Sequence, residues 1–368
     1  MSVVIMSFRN IFKNISVDAS SKRDELDDLL SLGTYPVVIF GAGSVGDAIA
    51  QVLIDKGIKI SAFCDNHKSG LLEKYNVPII NVTTLISDFL NAVLIICVGP
   101  LYSNKIKSQV ISAGFPNKMI FQRYNAWHYF NEKEFRENYY DGYEWAYNYF
   151  SDRWSREIII NRIKGYLGHC LLPSVSYEKQ YFDPSVISFT DHEVFYDLGG
   201  FNGDTSESFV KYTSGKYRHI FFFEPDEENL LQAKKRLKFL PNITWINKGI
   251  WSYDTELSFV SQSGSSRCTL DGEKRVSVVS IDSFLLKESS NIAPSFIKMD
   301  IEGAELNALI GARETIGRYT PKLAVCVYHK PQDIYEIPKV ILECSAYKMS
   351  LSHYTPGMNE TVLYALPK

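Results

Sequence analysis

The sequence predicts an α/β protein built on two sheets of mainly parallel strands, and three observations predict it. Two apolar runs each end in a glycine-rich turn that opens a helix, VVIFGAGSVG at Val37–Gly46 and EVFYDLGGFNGDT at Glu193–Thr205. In both halves short apolar strands alternate with helical stretches, the pattern of parallel strands joined by helical crossovers. The final apolar pair, KMSLSHY and TVLYALP, is joined by TPGMNE with its proline and glycine, and so closes the chain as an antiparallel hairpin. At 368 residues, 45% of them hydrophobic and 22% charged, the chain is long enough for two cores.

Residues 1–34 read as an N-terminal helical segment. DASSKRDELDDLLSL at Asp18–Leu32 is a capped amphipathic helix stopped by Gly33. The preceding MSVVIMSFRNIFKN has an apolar stretch too short for a signal sequence or a membrane span. Residues 35–122 form a small Rossmann-like nucleotide-binding domain. Its strands are Val37–Phe40, Ile60–Asp65, Val77–Ile80, Ala92–Val98 and Lys118–Phe121, with helices at Asp47–Gly57 and Tyr102–Ala113. Residues 123–188 form a helical linker or cap, because Tyr143, Ala146, Tyr147, Phe150, Trp154 and Ile158 recur at spacings of three and four. Residues 189–368 make the second Rossmann-like domain. Its strands are Glu193–Leu198, His219–Glu224, Ile243–Asn247, Glu256–Val260, Val276–Ser280, Phe296–Asp300, Lys322–Tyr328, Lys348–His353 and Thr361–Leu366.

Bulk properties exclude several classes. A net charge of −3 with Lys and Arg dispersed gives no basic field for nucleic acid. The six cysteines, Cys64, Cys97, Cys170, Cys268, Cys326 and Cys344, show no paired spacing for zinc or disulfides, which points to a reducing cytoplasm. No integral membrane segment is expected, and a homo-oligomer is compatible with the composition.

The chemistry concentrates in four segments. In the second glycine turn Asp197 ends an apolar run, Gly199, Gly200 and Gly203 keep the turn free of Cβ bulk, and Asp204 and Thr205 can cap the following helix. The next strand ends on Glu224, about 20 residues beyond the glycines, where a carboxylate can accept two ribose hydroxyls. A dinucleotide and S-adenosylmethionine (SAM) both fit that geometry. In FIKMDIEGAE, Lys298, Asp300 and Glu302 alternate with apolar partners and so point to one side of a strand at its carboxyl edge. Such charges are expensive to bury without a substrate hydroxyl, a metal ion or each other. In VYHKPQDIYEIP, His329 stands at the same edge one strand–helix unit later, as a base or a metal ligand. The SGSSR stretch, with a loop over Gly264–Arg267, either contacts an acceptor or is a plain surface loop. GAGSVG follows a strand and opens a helix, as its fingerprint requires, with Asp65 as the acidic partner at the end of the next strand.

From about Tyr143 to the C-terminus, roughly two thirds of the chain, the sequence resembles the FkbM family of methyltransferases. The matching pieces, in the family's order, are SDRWSREIIINRI, QYFD, EVFYDLGGFNGDT, FFFEPD, NKGIWS, VSVVSIDSF, FIKMDIEGAE and VYHKPQDIYEIP. The resemblance implies a methyltransferase sheet ending in an antiparallel hairpin, and O-methyl transfer from SAM to a sugar or related hydroxyl. It implies cofactor contacts from Tyr181, Asp197, Gly199, Gly203, Asp204, Thr205, Glu224, Asp226 and Asn247. Catalytic roles would fall to His329, Asp300 and Lys298 near the methyl acceptor. Either a neutral His329 takes the hydroxyl proton, or Asp300, Glu302 and His329 hold Mg²⁺ or Mn²⁺.

The first domain is similar to the N-terminal domain of sugar-nucleotide-modifying acetyltransferases of bacterial glycan pathways. That resemblance implies capture of a nucleotide-linked sugar by Gly41, Gly43, Ser44, Val45, Gly46, Asp65 and Asn66. The pattern also leaves room for NAD(P) or a degenerate domain. The expected function is therefore SAM-dependent O-methylation of a nucleotide-linked sugar for bacterial surface polysaccharide. The alternatives are an NAD(P)-dependent sugar-nucleotide oxidoreductase and a non-catalytic nucleotide-binding scaffold.

Overall fold

Runs of four or five apolar residues become the central strands of two sheets, because a strand covered by helices on both faces must be apolar on both faces. The computed structural model describes residues 7–122, 132–167, 174, 176–262, 265–268, 274–287, 292–355 and 357–368. The chain divides into two compact units. One comprises Met1–Tyr140, Ile158–Pro173 and Thr355–Met358, and the other Asp141–Glu157, Ser174–Tyr354 and Asn359–Lys368. Among the described residues no helix is long and apolar enough to cross a membrane.

The first unit runs α1 (Phe8–Ser31), β1 (Val37–Phe40), α2 (Ser44–Asp55), β2 (Ala62–Cys64), β3 (Gly70–Leu72), β4 (Val77–Ile80), α3 (Val82–Asp88), β5 (Val93–Ile96), α4 (Pro100–Ser112), β6 (Ile120–Gln122) and α5 (Glu132–Asn138). Its sheet has the order β3-β4-β2-β1-β5-β6 and is parallel except where β3 pairs antiparallel with β4. The central strands β1 and β5 are buried at every residue. Strand β3 is new relative to the sequence reading. It is short and largely exposed, so it carries no apolar run. Helix α1 also begins ten residues before the expected Asp18, since Phe8, Phe12 and Ile15 recur on one buried face. Phe12 stacks on Phe135 and meets Tyr140 edge-on.

The chain continues through α6 (Tyr140–Tyr149) and α7 (Arg153–Tyr166). The aromatic spacing in this segment forms helices as expected, with Tyr143, Ala146, Tyr147 and Phe150 buried. Parts of residues 123–188 belong to each of the two units. Of that segment, 123–131, 168–173 and 175 lie outside the described residues.

The second unit adds β7 (Val194–Leu198), α8 (Asp204–Tyr212), β8 (His219–Phe223), α9 (Glu227–Arg236), β9 (Ile243–Ile246), β10 (Gly249–Ile250), β11 (Thr255–Gln262), β12 (Ser265–Cys268), β13 (Lys274–Val279), α10 (Ile281–Lys287), β14 (Phe296–Met299), α11 (Glu305–Ile310), α12 (Arg313–Tyr319), β15 (Lys322–Cys326), α13 (Asp333–Cys344), β16 (Tyr347–His353) and β17 (Thr361–Pro367). The main sheet has the order β16-β17-β15-β14-β7-β8-β9. Strands β15, β14, β7, β8 and β9 are parallel in it, and β16 and β17 form the antiparallel hairpin expected from the sequence. After β7 the chain builds outward to β8 and β9, then returns to place β14 on the other side. The carboxyl end of β7 is thus a topological switch point, where open α/β sheets bind ligands.

Two expectations are corrected here. The strands at Glu256–Val260 and Val276–Ser280 do not join the main sheet; they belong to a separate four-stranded sheet, β10-β13-β11-β12. The expected loop at Gly264–Arg267 is largely strand β12, with Arg267 opposite Val260, while Ser263 and Gly264 lie outside the described residues. Beneath the main sheet an aromatic core fixes β7, β14 and α8 together. Phe195 stacks on Phe296 at 5.0 Å and lies 4.5 Å from Phe209, each such pair adding about 0.5–1.5 kcal/mol beyond its buried area. At the opposite end of β7, the buried Glu193 pairs with Lys322 and accepts from Ser295 and Thr190. Burial alone would raise the Glu193 pKa, but these partners hold it below its ordinary value.

Candidate active site

The site is built around the turn after β7. Gly199 has φ +76°, and a Cβ there would lie 2.0 Å from the Asp300 carbonyl oxygen; one on Gly200 would lie 2.3 Å from the Phe222 ring. Only glycine lets the chain pass between β8 and β14 at this point. The turn is anchored by the amides of Gly199 and Gly200, which both donate to the Phe223 carbonyl. Asp197, one residue from the end of β7, is fully buried. Its Oδ2 accepts from the Ser206 hydroxyl at 2.7 Å, and its Oδ1 lies 3.2 Å from the Lys298 ammonium. Lys298 also donates to the Gly199 carbonyl at 2.6 Å. Burial alone would lower the Lys298 pKa, but Asp197 and Asp300 hold it above its ordinary value, so it stays charged.

The structure brings the expected hook residues to this turn. Glu224 Oε2 accepts from the Phe201 amide and Oε1 from the Asp226 amide, both at 2.9 Å. Burial pushes the Glu224 carboxyl up despite those two donors. Asp226 caps α9 by accepting from the amides of Glu228 and Asn229. Asn247 donates to the carbonyls of Glu224 and Pro225. The expected capping by Asp204 and Thr205 takes another form. Gly203, at φ +86°, occupies the N-cap position, and Asp204 sits inside the first turn, where it accepts from the Thr205 amide at 2.8 Å.

Across the edge, Asp300 follows the last residue of β14. Its Oδ2 accepts from the Tyr181 hydroxyl at 2.8 Å and its Oδ1 from the Tyr328 hydroxyl at 3.2 Å. Burial and the adjacent Asp300 push both phenols well above their ordinary pKa, so they remain donors. Burial would raise the Asp300 carboxyl as well, but Lys298 and His329 hold it low, and it stays ionised. Lys298 and Asp300 do share a side, as alternation requires. Glu302 lies beyond the strand in a left-handed turn, φ +56°. His329 faces three carboxylates: its Nδ1 is 2.9 Å from Glu305, and its Nε2 is 3.5 Å from Glu302 and 3.6 Å from Asp300. Burial would lower its pKa, but Glu305 first and then Glu302 and Asp300 hold it well above the ordinary value.

Three groups here escape the sequence reading. Glu305 is fully buried at the start of α11 and accepts from the Ile301 amide at 2.9 Å. Tyr328 reads as the end of a buried strand, yet its hydroxyl reaches Asp300. Glu360, in the closing hairpin, accepts from Gln180, which also donates to the Tyr181 hydroxyl at 3.0 Å. Burial and Asp300 push the Glu360 carboxyl up to about 7. Gln180 had a signal in the sequence, since QYFD places it beside the expected Tyr181. Of the eight non-glycine residues with positive φ among the described residues, Tyr181, Phe201, Glu302 and Glu360 line this one region, as strained backbone does at functional sites.

The first unit repeats the turn in miniature. Gly41 has φ +113° with a Cβ position 2.7 Å from the Cys97 carbonyl oxygen, and a Cβ on Gly46 would lie 1.9 Å from the Gly41 carbonyl oxygen. Gly43 faces open space and caps α2, which starts at Ser44; Val45 packs half-buried on the core. Asp65 Oδ2 accepts from the Ala42 amide at 2.9 Å, and Oδ1 accepts from His67 and Lys68. Burial would raise its pKa, but these amides hold it low. Asn66 does not face the glycines through its amide, which exchanges hydrogen bonds with Gln109.

Comparison with known proteins agrees with this fold. Among solved structures, the chain is similar to a methyltransferase FkbM from Methylobacillus flagellatus KT, with 21% identity and a TM-score of 0.71 over 96% of this chain and 99% of that one. More distant similarities include an rRNA methylase from Streptococcus thermophilus (14% identity, 48% of this chain, 87% of that one, TM-score 0.31). Another is Aeropyrum pernix fibrillarin, solved with natively bound S-adenosyl-L-methionine (13% identity, 50% of this chain, 70% of that one, TM-score 0.33). No curated protein matches the chain. Residues 197–348, which hold the glycine turn, Glu224, Asp300 and His329, match the family described as the methyltransferase FkbM domain.

Proposed function

We propose that the chain is a SAM-dependent O-methyltransferase acting on a sugar hydroxyl, carried on a nucleotide-linked sugar for bacterial surface polysaccharide. The observation that carries this reading is the meeting, at one sheet edge, of the Gly199–Gly203 turn and Glu224 with the ionised Asp300 of the neighbouring strand. The residues fit the cofactor. Each Glu224 oxygen takes one amide and keeps acceptor capacity for a ribose hydroxyl, and the turn offers backbone without Cβ bulk. Tyr181, Asp204, Thr205, Asp226 and Asn247 complete the proposed cofactor set.

When bound, SAM supplies a methyl group already activated on a sulfonium. The protein is then asked mainly for alignment and a less protonated acceptor oxygen. Asp197 and Lys298 fix the turn, so Lys298 is proposed as a positioning residue. Asp300 would accept the hydrogen bond of the acceptor hydroxyl, orient it and take up its proton as the oxygen gains the methyl group. In the absence of a bound cation the surrounding carboxylates favour the imidazolium form of His329, which has no free lone pair with which to act as a base, and its proposed role is to position Asp300.

Nucleotide binding by the first unit is assigned to the Gly41–Gly46 turn with Asp65. The support is an internal parallel: Asp65 accepts from Ala42 as Glu224 accepts from Phe201. A cytoplasmic location belongs to the same reading, since nucleotide-linked sugars are its substrates. The test is incubation with SAM and a panel of nucleotide sugars, read by mass spectrometry. One nucleotide sugar should gain the mass of a single CH₂. Absence of any methylated product, or turnover of NAD(P) instead, would overturn the reading.

A further inference from the structure

We infer that Asp300, Glu305 and His329 form a binding site for one divalent cation of the Mn²⁺ or Mg²⁺ class. The site would lie on the acceptor side of the proposed methyl-transfer centre, so its catalytic part rests on that reading. One donor atom from each of the three residues lies within 4.8 Å of the others. A single ion at an ordinary bond length of about 2.2 Å spans such a set with small side-chain adjustments. Relative to the sequence expectation of Asp300, Glu302 and His329, the compact set contains Glu305; Glu302 stays close enough to His329 to serve as an outer partner.

Two observations point to a ligand-binding role for these groups. Neither ring nitrogen of His329 makes a hydrogen bond of acceptable geometry, although its side chain is only 9% exposed and carboxylate oxygens surround it. Glu305 is fully buried, and its Oε2 is likewise without a hydrogen-bond partner. Buried polar atoms are nearly always satisfied, so unpaired donors and acceptors facing one another call for a group between them. The charge count agrees. Asp300, Glu302, Glu305 and Glu360 converge here, whereas Lys298 is engaged with Asp197 and the Gly199 carbonyl, and Lys330 donates to the Gly303 carbonyl. A mixed set of carboxylates and one imidazole suits Mn²⁺ well, and Mg²⁺ through its oxygens. Beside the acceptor oxygen such an ion would lower the hydroxyl pKa and orient it.

The test titrates Mn²⁺ into the chelator-treated full chain and follows the loss of the free Mn²⁺ electron paramagnetic resonance signal, with SAM binding measured separately by calorimetry. One ion per chain is expected, with Mg²⁺ competing. His329→Gln and Glu305→Gln should each weaken Mn²⁺ binding at least 10-fold. Because Glu305→Gln can disturb folding, His329→Gln with unchanged circular dichroism and unchanged SAM affinity is the deciding variant. Absence of stoichiometric Mn²⁺ binding, or binding that His329→Gln leaves unaltered, overturns the site. Full methyl transfer in excess chelator overturns its catalytic part while leaving the methyltransferase reading intact. Mn²⁺ binding in a chain that never binds SAM would sink that reading and leave the cation site standing.

Discussion

Lys298→Met is expected to lower the stability of the second unit by about 3–5 kcal/mol, the usual loss when one partner of a buried ion pair is removed. Lys298 and Asp197 are 2% and 0% exposed, and their charged atoms lie 3.2 Å apart. Without the ammonium, Asp197 keeps the hydrogen bond from the Ser206 hydroxyl and holds an uncompensated charge in the centre of the sheet. The Gly199 carbonyl loses its donor in the same step, so the turn loosens where SAM is proposed to bind. Urea unfolding measures the stability change. The double variant Asp197→Asn/Lys298→Met should recover part of the loss, because it removes the stranded charge. Equal stability of Lys298→Met and the wild type would show that the pair does not hold the turn.

Asp300→Asn should reduce methyl transfer by about 10²–10⁴-fold while leaving SAM affinity within a factor of a few. Asparagine retains a carbonyl for Tyr181 or Tyr328, so the fold and the hydrogen-bonded phenols have a substitute partner. It lacks the negative charge that orients an acceptor hydroxyl or binds a cation. Turnover and SAM affinity are separate readouts, and the separation is the point. A parallel fall in both would place Asp300 in cofactor binding, and full turnover would move the acceptor site elsewhere.

Much of this architecture was legible in the sequence because its signals are local. Continuous apolar runs such as VVIF, VLII and VFYDL leave little choice but buried parallel strands, and the glycines at Gly41, Gly199 and Gly203 mark turns that other residues strain to make. The closing hairpin announced itself through a proline and a glycine between alternating strands. What escaped depends on contacts far apart in the chain. Strand β3 is too short and too exposed to carry a pattern, and whether Glu256–Val260 joins the main sheet or a second one is decided by pairing partners, not by its own residues. The start of helix α1 is hard to read because its polar second half has the stronger capping signal, while its buried face begins at Phe8.

The candidate site divides the same way. Asp197, Glu224 and Asp300 stand at strand ends, where periodicity predicts them. Glu305 and Glu360 look like solvent-facing acids in the sequence, one at a helix start and one in a hairpin loop. They reach the site because β14 and β15 are neighbours and because Gln180, from outside the sheet, ties Glu360 to Tyr181. The role of His329 changes for a related reason. A histidine at a strand end suggests a neutral base, but three surrounding carboxylates favour its charged form or a cation in place of the proton.

The central claim, that the glycine turn after β7 with Glu224 is a SAM site, is tested most directly by calorimetric titration of SAM into the wild type and Glu224→Ala. Glu224 props the turn through the Phe201 amide and is the proposed acceptor for the ribose hydroxyls. The account predicts saturable binding of one SAM per chain in the wild type and at least a 10-fold weaker affinity in a folded Glu224→Ala. Absence of heat from SAM in the wild type, or an affinity indifferent to Glu224→Ala, would contradict it.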